Sequence, residues 1–156
     1  MTSNEPTNWV VKSFAELTTN QLYQILRLRS AVFVLEQDCA YQDIDDLDQQ
    51  AWHVFLPHQD PIKAYARILP PTDDTQAYHI GRVVVADSER KQQLGQDLMR
   101  AAISHCQQQD SNAVIEISAQ TYLTRFYQAL GFVSTGKYYL EDDIAHQTML
   151  LQPKNH

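Results

Sequence analysis

The sequence predicts an α+β domain, a three-layer α/β arrangement around a mixed and mostly antiparallel sheet. Three observations predict it. Apolar segments at 51–56, 62–69 and 78–85 follow one another through short turns, and such a meander pairs antiparallel. Helical spacing flanks the meander on both sides, at Leu22, Ile25, Leu26, Val32 and Phe33 before it, and at Leu94, Leu98, Met99, Ala102 and Cys106 after it. A strand, a polar turn and a helix start are fused in the stretch 82–95, RVVVADSERKQQLG.

Each element has its own signature. WVVKSF at 9–14 reads as a first strand. Thr18 and Gln21 make a capping box for the helix that follows, which runs to near Gln37. DCAYQDIDDLDQQ at 38–50 is polar and acidic, suited to an irregular loop or a short extra helix. AWHVFL at 51–56 is the second strand, closed by a turn held between Pro57 and Pro61. IKAYARIL at 62–69 is the third, closed by Pro70, Pro71, Asp73 and Asp74. Val83, Val84 and Val85 end the fourth as a β-branched run. A helix at 92–108 and a strand at 113–118, AVIEIS, come next. The helix at 121–130 is closed by Gly131, which tolerates a left-handed cap. Residues from Phe132 form a strand or loop, 138–145 hold an acidic turn, and 146–151 are a last strand. The order is β-α-β-β-β-α-β-α-β-β.

The bulk properties bound the function. A chain of 156 residues, 44% hydrophobic, makes one domain over 1–156 with a full core. A net charge of −7 argues against nucleic acid or an acidic membrane surface as partner. Cys39 and Cys106 are too few and too far apart for a disulfide framework or a metal site. The polar MTSNEPTNW start has no apolar signal core, and no apolar run reaches a membrane span, so a cytoplasmic setting is the simplest expectation. A local anion site remains open to an acidic protein. The first amides of a helix have no internal partners, and Arg90 supplies a donor fork suited to phosphate.

The element order, RVVVADSERKQQLG and AQTYLTRFYQALGF together resemble the GNAT superfamily of N-acetyltransferases, over nearly the whole chain. LRLRSAVFVLEQDCAYQDIDDLD and YYLEDDIAHQTM bring the resemblance closest to the ElaA-like branch. It implies a sheet splayed into a V between the strand ending at Val85 and the strand ending at Ala119, with helices on both faces and acetyl-CoA in the opening as cosubstrate. It implies that Val83, Val84 and Val85 pair with the pantetheine arm by strand addition. The pyrophosphate would rest on Arg90, Lys91, Gln92, Gln93, Leu94 and Gly95. Gln120 would approach the cofactor arm, and Tyr127 would face the departing sulfur. The acceptor would be a small or peptide-borne primary amine, no metal is called for, and a homodimer fits the habit of such folds.

The loop departs from the family pattern. Gln93 stands where a central glycine is usual. If that position needs φ > 0, Gln93 costs ~1–2 kcal/mol; if φ is negative, its side chain points outward at little cost. Asp143 and Ala145 stand where the branch usually has Gly and Pro.

Acetyl transfer to an amine needs a neutral nucleophile, donors for an oxyanion and a proton for the leaving thiolate. Unpaired strand amides at Val84 and Val85 would serve the oxyanion. Tyr127 would serve the thiolate, set against a packed aromatic beside Phe126 and Phe132. Glu116 in AVIEIS is the candidate base, set against a carboxylate tied down in the sheet or facing solvent. His53 and His146 read first as structural histidines, with a base as the second reading for each, and His53 also as a substrate contact. Glu36, Asp43 and Asp45, with Asp38, Asp46 and Asp48, would line an acceptor pocket and draw in a cation, or else form a solvated loop. Cys39 reads as incidental and Cys106 as helix core. The rival function is an acetyl-CoA-binding module with little or no turnover, motivated by Gln93.

Overall fold

The structure is a computed structural model that describes residues 9–37, 41–86 and 92–153. β1 (Val10–Ser13) leads through a short 3-10 turn to α1 (Thr19–Arg29). The Thr18 hydroxyl accepts from the Gln21 amide at 3.0 Å and the Gln21 side chain accepts from the Thr18 amide at 3.0 Å, the reciprocal cap expected, worth about 1 kcal/mol. The helix then widens into a π turn at Ser30–Glu36, a geometry the apolar spacing did not announce. β2 (Trp52–Phe55), β3 (Ala64–Leu69) and β4 (Tyr78–Val85) form the meander. α2 (Gln92–Gln109), β5 (Ile115–Gln120), α3 (Thr124–Ala129), β6 (Val133–Glu141) and β7 (Ile144–Leu151) complete the domain.

Two expectations move. β5 sits two residues later than 113–118, which carries Gln120 onto the end of the strand. The acidic turn contracts to Asp142 and Asp143, at φ 50° and 65°, so that β6 runs on to Glu141 and β7 begins at Ile144. Short acidic residues accept left-handed backbone more readily than most, which suits a two-residue hairpin. Gly131 caps α3 at φ 102° as expected.

The seven strands are ordered β1-β2-β3-β4-β5-β7-β6. All neighbours are antiparallel except β4 and β5, which run parallel. That junction has only two paired positions, Tyr78 with Ile115 and His79 with Glu116. Beyond them the strands part. α2 buries Leu98, Met99, Ala102, Ile103 and Cys106 against one face of the sheet, at Val54, Ala66, Ile80, Ile115 and Ile117. α1 and the π turn bury Ile25, Leu28 and Val32 against the other, at Phe55, Tyr65 and Val84. The helices thus cover both faces.

Candidate active site

The parting of the sheet is reinforced by a bulge in β4. Tyr65 pairs with Val84 and Arg67 with Gly81, so Arg82 and Val83 together oppose Ala66. Arg82 takes φ 50°, a conformation that costs a side-chain-bearing residue ~1–2 kcal/mol. The extra residue inverts the alternation of the strand. Tyr78 and Ile80 pack in the core beneath α2, whereas Val84, an even number of residues on, packs beneath α1. Val83 and Val85 pack against the α2 side instead.

The ladder also fixes which amides face the opening. The Ala86 N–H donates to the Lys63 carbonyl at 2.7 Å. Alternation turns the Val84 amide toward β3 as well, and the Val85 amide toward the gap. Of the two amides expected to meet an oxyanion, Val84's is therefore committed to β3, and Val85's has the right direction.

A cavity of about 720 Å³ fills the opening. This lies within the range of small-molecule sites. Val83, Val84, Val85, Gly95, Gln120 and Tyr127 reach its wall on one side, and Glu36 with Tyr41 reaches it from the α1 side. The sequence-derived residues divide here. Arg90, Lys91 and Cys39 lie outside the described residues. Gln92 opens α2. Gln93 is in the first turn of that helix, is exposed, and donates from its amide to Asp97 Oδ1 at 2.8 Å. It is absent from the left-handed positions, so the strain that its replacement of glycine raised does not arise. Leu94 packs on the core beneath α2 and does not reach the cavity. At Gly95 a Cβ would stand 3.5 Å from the Phe126 ring, an ordinary van der Waals contact, so space alone does not require glycine there.

Tyr127 is 7% exposed, with its ring edge-on to Phe126 at 5.0 Å and to Phe132 at 6.0 Å. Burial, with Tyr122 nearby, pushes its phenol up to about 12, so it keeps its proton at neutral pH. It is both a packed aromatic and a wall of the cavity.

The acidic segment is not the cation-attracting wall expected. Asp43 and Asp48 are buried, and Asp45 is half-buried, because three arginines consume them. Arg29, fully buried, bonds Asp43 Oδ2 at 3.0 Å, Asp48 Oδ1 at 2.8 Å and the Asp43 carbonyl at 3.0 Å. Arg67 grips both oxygens of Asp45, at 2.8 and 2.9 Å, and reaches Asp48 at 3.1 Å. Arg82 pairs with Asp43 at 2.9 Å and Asp45 at 3.1 Å, and lies over the Tyr41 ring at 5.5 Å. Burial works against the charges of Asp45 and Asp48, but the arginine bonds hold both carboxyls below the usual range. Neither Asp43 nor Asp45 reaches the cavity wall. Their role is to anchor the strained Arg82 and, through it, the bulge.

His53 takes the structural place read first for it, and not the substrate contact. It is fully buried behind this network and does not line the cavity. Its Nε2 lies 2.9 Å from the Asp48 carbonyl, which can only accept, so Nε2 carries the hydrogen and Nδ1 accepts from the Tyr65 hydroxyl at 2.6 Å. Burial lowers its pKa, and it stays neutral. Glu116 likewise falls short of the wall; its carboxylate stands 3.9 Å from Nδ1 of His79, which does line it.

Several wall residues had escaped notice: Tyr41, His79, Arg82, Ser118, Glu141 and Asp142. The arginines carried a readable signal. Arg29, Arg67 and Arg82 each interrupt an apolar stretch, and an arginine there requires carboxylate partners. No helix among the described residues is long and apolar enough to cross a membrane.

Comparison with known proteins gives concordant results. A family described as "Acetyltransferase (GNAT) domain" matches residues 15–153. Protein ElaA of Escherichia coli (strain K12) is 41% identical over 140 residues, which cover 88% of this chain and 92% of that protein. The crystal structure of an acyl-CoA N-acyltransferase from Pseudomonas aeruginosa superposes with a TM-score of 0.87 at 37% identity, over 93% of this chain and 99% of the other. The crystal structure of Escherichia coli ElaA gives a TM-score of 0.84 at 37% identity, over 94% and 100% of the two chains.

Proposed function

Because the chain belongs to the GNAT family of acetyltransferases, we propose that it moves an acetyl group from acetyl-CoA to a primary amine by direct attack, without a covalent enzyme intermediate. The observation that carries this reading is the convergence, on one cavity, of the parted β4 edge at Val83, Val84 and Val85 and the buried, protonated Tyr127 phenol. Among the described residues, the β4 edge from Ile80 to Val84 has no strand partner on the β5 side, and an extended pantetheine arm can add there. Gln120 borders that arm from the end of β5, and the first amides of α2, from Gln92 onward, point toward the pyrophosphate. The backbone of the β4 edge at the opening meets the oxygen that gains charge, and Tyr127 gives its proton to the sulfur as the C–S bond breaks. The cytoplasm, which supplies both acetyl-CoA and reducing conditions for the cysteines, is the setting this reading assigns.

The rival, a module that binds acetyl-CoA without turnover, rested on Gln93. Gln93 is helical and directed to solvent, so nothing at that position favours the rival. Isothermal titration with acetyl-CoA, followed by a thiol-release assay over a panel of primary amines, tests the proposal. Binding with turnover of at least one amine is expected. Binding with no release above the rate of uncatalysed hydrolysis, across the panel, would return the rival; absence of binding would overturn both.

A further inference from the structure

The geometry points to Glu141 and His146 as the amine-receiving pair of this cavity: Glu141 holds the incoming ammonium, and His146 Nε2 takes its proton. This rests on the acyl-transfer reading above and names the group that reading leaves open, the base.

His146 is 6% exposed and reaches the cavity wall, as does Glu141. Its Nδ1 lies 2.7 Å from the Ile144 carbonyl. A carbonyl only accepts, so Nδ1 carries a hydrogen, and in the neutral ring Nε2 then presents a lone pair. The ring is fixed in this attitude by Tyr139, stacked on it at 6.0 Å and 19°. Nε2 in turn faces Glu141 Oε2 at 3.6 Å. Two acceptors therefore face one another across a distance too long for a hydrogen bond between them. A primary ammonium donates to both at once, and the cavity opens on the spot. The hairpin turn adds Asp142 beside it, and Ser118 and Gln120 of β5 complete the neighbourhood. His79 and Arg82 of β4, Glu36 of the π turn and the phenols of Tyr41, Tyr122 and Tyr127 are the other titratable or charged groups on the wall among the described residues, and Arg82 is already matched by Asp43 and Asp45.

His79 is the competing base, and position decides against it. It pairs with Glu116 at the closed end of the junction, whereas Val85 lies six residues further along β4, roughly 20 Å in extended chain. His146 pairs with Gln120, four residues beyond Glu116, toward the open end where Val85 and Tyr127 stand.

The protons balance. The ammonium gives one proton to His146 Nε2, which passes it to solvent. The neutral nitrogen attacks the thioester carbon, the N–C bond forms, and the C–S bond then breaks. Tyr127 protonates the sulfur, and the second N–H proton restores the Tyr127 phenol through water. One proton ends on sulfur and one in solvent.

Two measurements test the pair. In long-range ¹H–¹⁵N correlation spectra of the wild-type protein saturated with CoA, near neutral pH, His146 is expected in the Nδ1–H form. Its Nε2 signal should shift when n-butylamine is added, and the shift should be lost in Glu141→Gln. With the best amine of the panel, His146→Gln should lower kcat by about 10²-fold and remove the acid limb of its pH profile, while Glu141→Gln should mainly raise KM for the amine. Both should bind acetyl-CoA as the wild type does. An imidazolium or an Nε2–H form of His146 at neutral pH, an Nε2 signal indifferent to butylamine, or a His146→Gln enzyme with wild-type kcat and pH profile would each overturn the pair. If the wild type turns over no amine, the acyl-transfer reading fails, and the spectra still decide for or against the pair.

Discussion

Tyr127 is held by its neighbours' rings, with Phe126 and Phe132 edge-on to it, which leaves the phenol oxygen the freedom to serve a ligand. Phe at this position keeps that packing and removes the hydroxyl alone. Tyr127→Phe is therefore expected to unfold at the wild-type temperature within a few degrees and to bind acetyl-CoA nearly as well, while kcat drops by about 10²-fold. Because burial raises the phenol to about 12, the loss should be constant from pH 6 to 9, where the wild-type group is fully protonated. An unchanged kcat would move the sulfur's proton to water or to another group. The residue scale also shows where the sequence was legible. FYQALGF placed Tyr127 through a local pattern, a short helix ended by glycine. His53 holds the structural place read first for it, but its partners, Asp48 and Tyr65, were not legible, because they reach it from two other elements and no local pattern announces them.

Among the elements, the acidic segment is the instructive one. Read along the chain it is a run of carboxylates, and read in space its Asp43, Asp45 and Asp48 are half of a neutral cluster. Its arginines lie 14 to 39 residues away. A buried pair broken from one side leaves an uncompensated charge, so Arg29→Met should cost ~3–5 kcal/mol in urea denaturation. A loss below ~1 kcal/mol would mean the cluster is wetter than its burial indicates. The sign with pH follows from Asp45 and Asp48, whose carboxyls are held below their usual range. Their stabilisation is fully present above the ordinary carboxylate pKa and is lost as pH falls from there through the lowered folded-state values, since in that window the unfolded chain binds more protons. Other elements failed to announce themselves for different reasons. β6 is an edge strand largely exposed on both faces, so it lacks the alternation that marks a half-buried strand. At α2 the family pattern misled. Gln93→Gly should bind acetyl-CoA no tighter than the wild type and lose up to ~1 kcal/mol of stability, because the substitution only places glycine in a helix. Tighter binding measured by calorimetry would show that the side chain obstructs the phosphates after all.

At the scale of the whole molecule, the sheet is two sheets joined at Tyr78–Ile115 and His79–Glu116. The order of elements along the chain and the antiparallel meander were legible because they follow from periodicity and connection length, and the helices on both faces came from the family resemblance; the extent of the opening was not legible, since it depends on a single extra residue at Arg82 and on the arginine cluster that holds it. The opening leaves the β5-facing edge of β4 without the ladder that a parallel neighbour would supply, and the two halves share few backbone bonds. A ligand that adds to that edge replaces the missing strand. Acetyl-CoA should therefore stabilise the fold, by about 2.7 kcal/mol at a hundredfold excess over Kd, with the gain spread over both halves. Hydrogen exchange gives the sharper view. Protection should rise along Ile80–Val85 and at the open end of β5 near Gln120, and should change little in β1 and β2, which are already paired and lie far from the gap. The Arg82 amide region should slow most, because the bulge is the least protected part of β4 before binding. Uniform slowing across the sheet would indicate a general shift in stability, and slowing confined to α2 would place the ligand on the phosphate end alone, with the strand edge left empty.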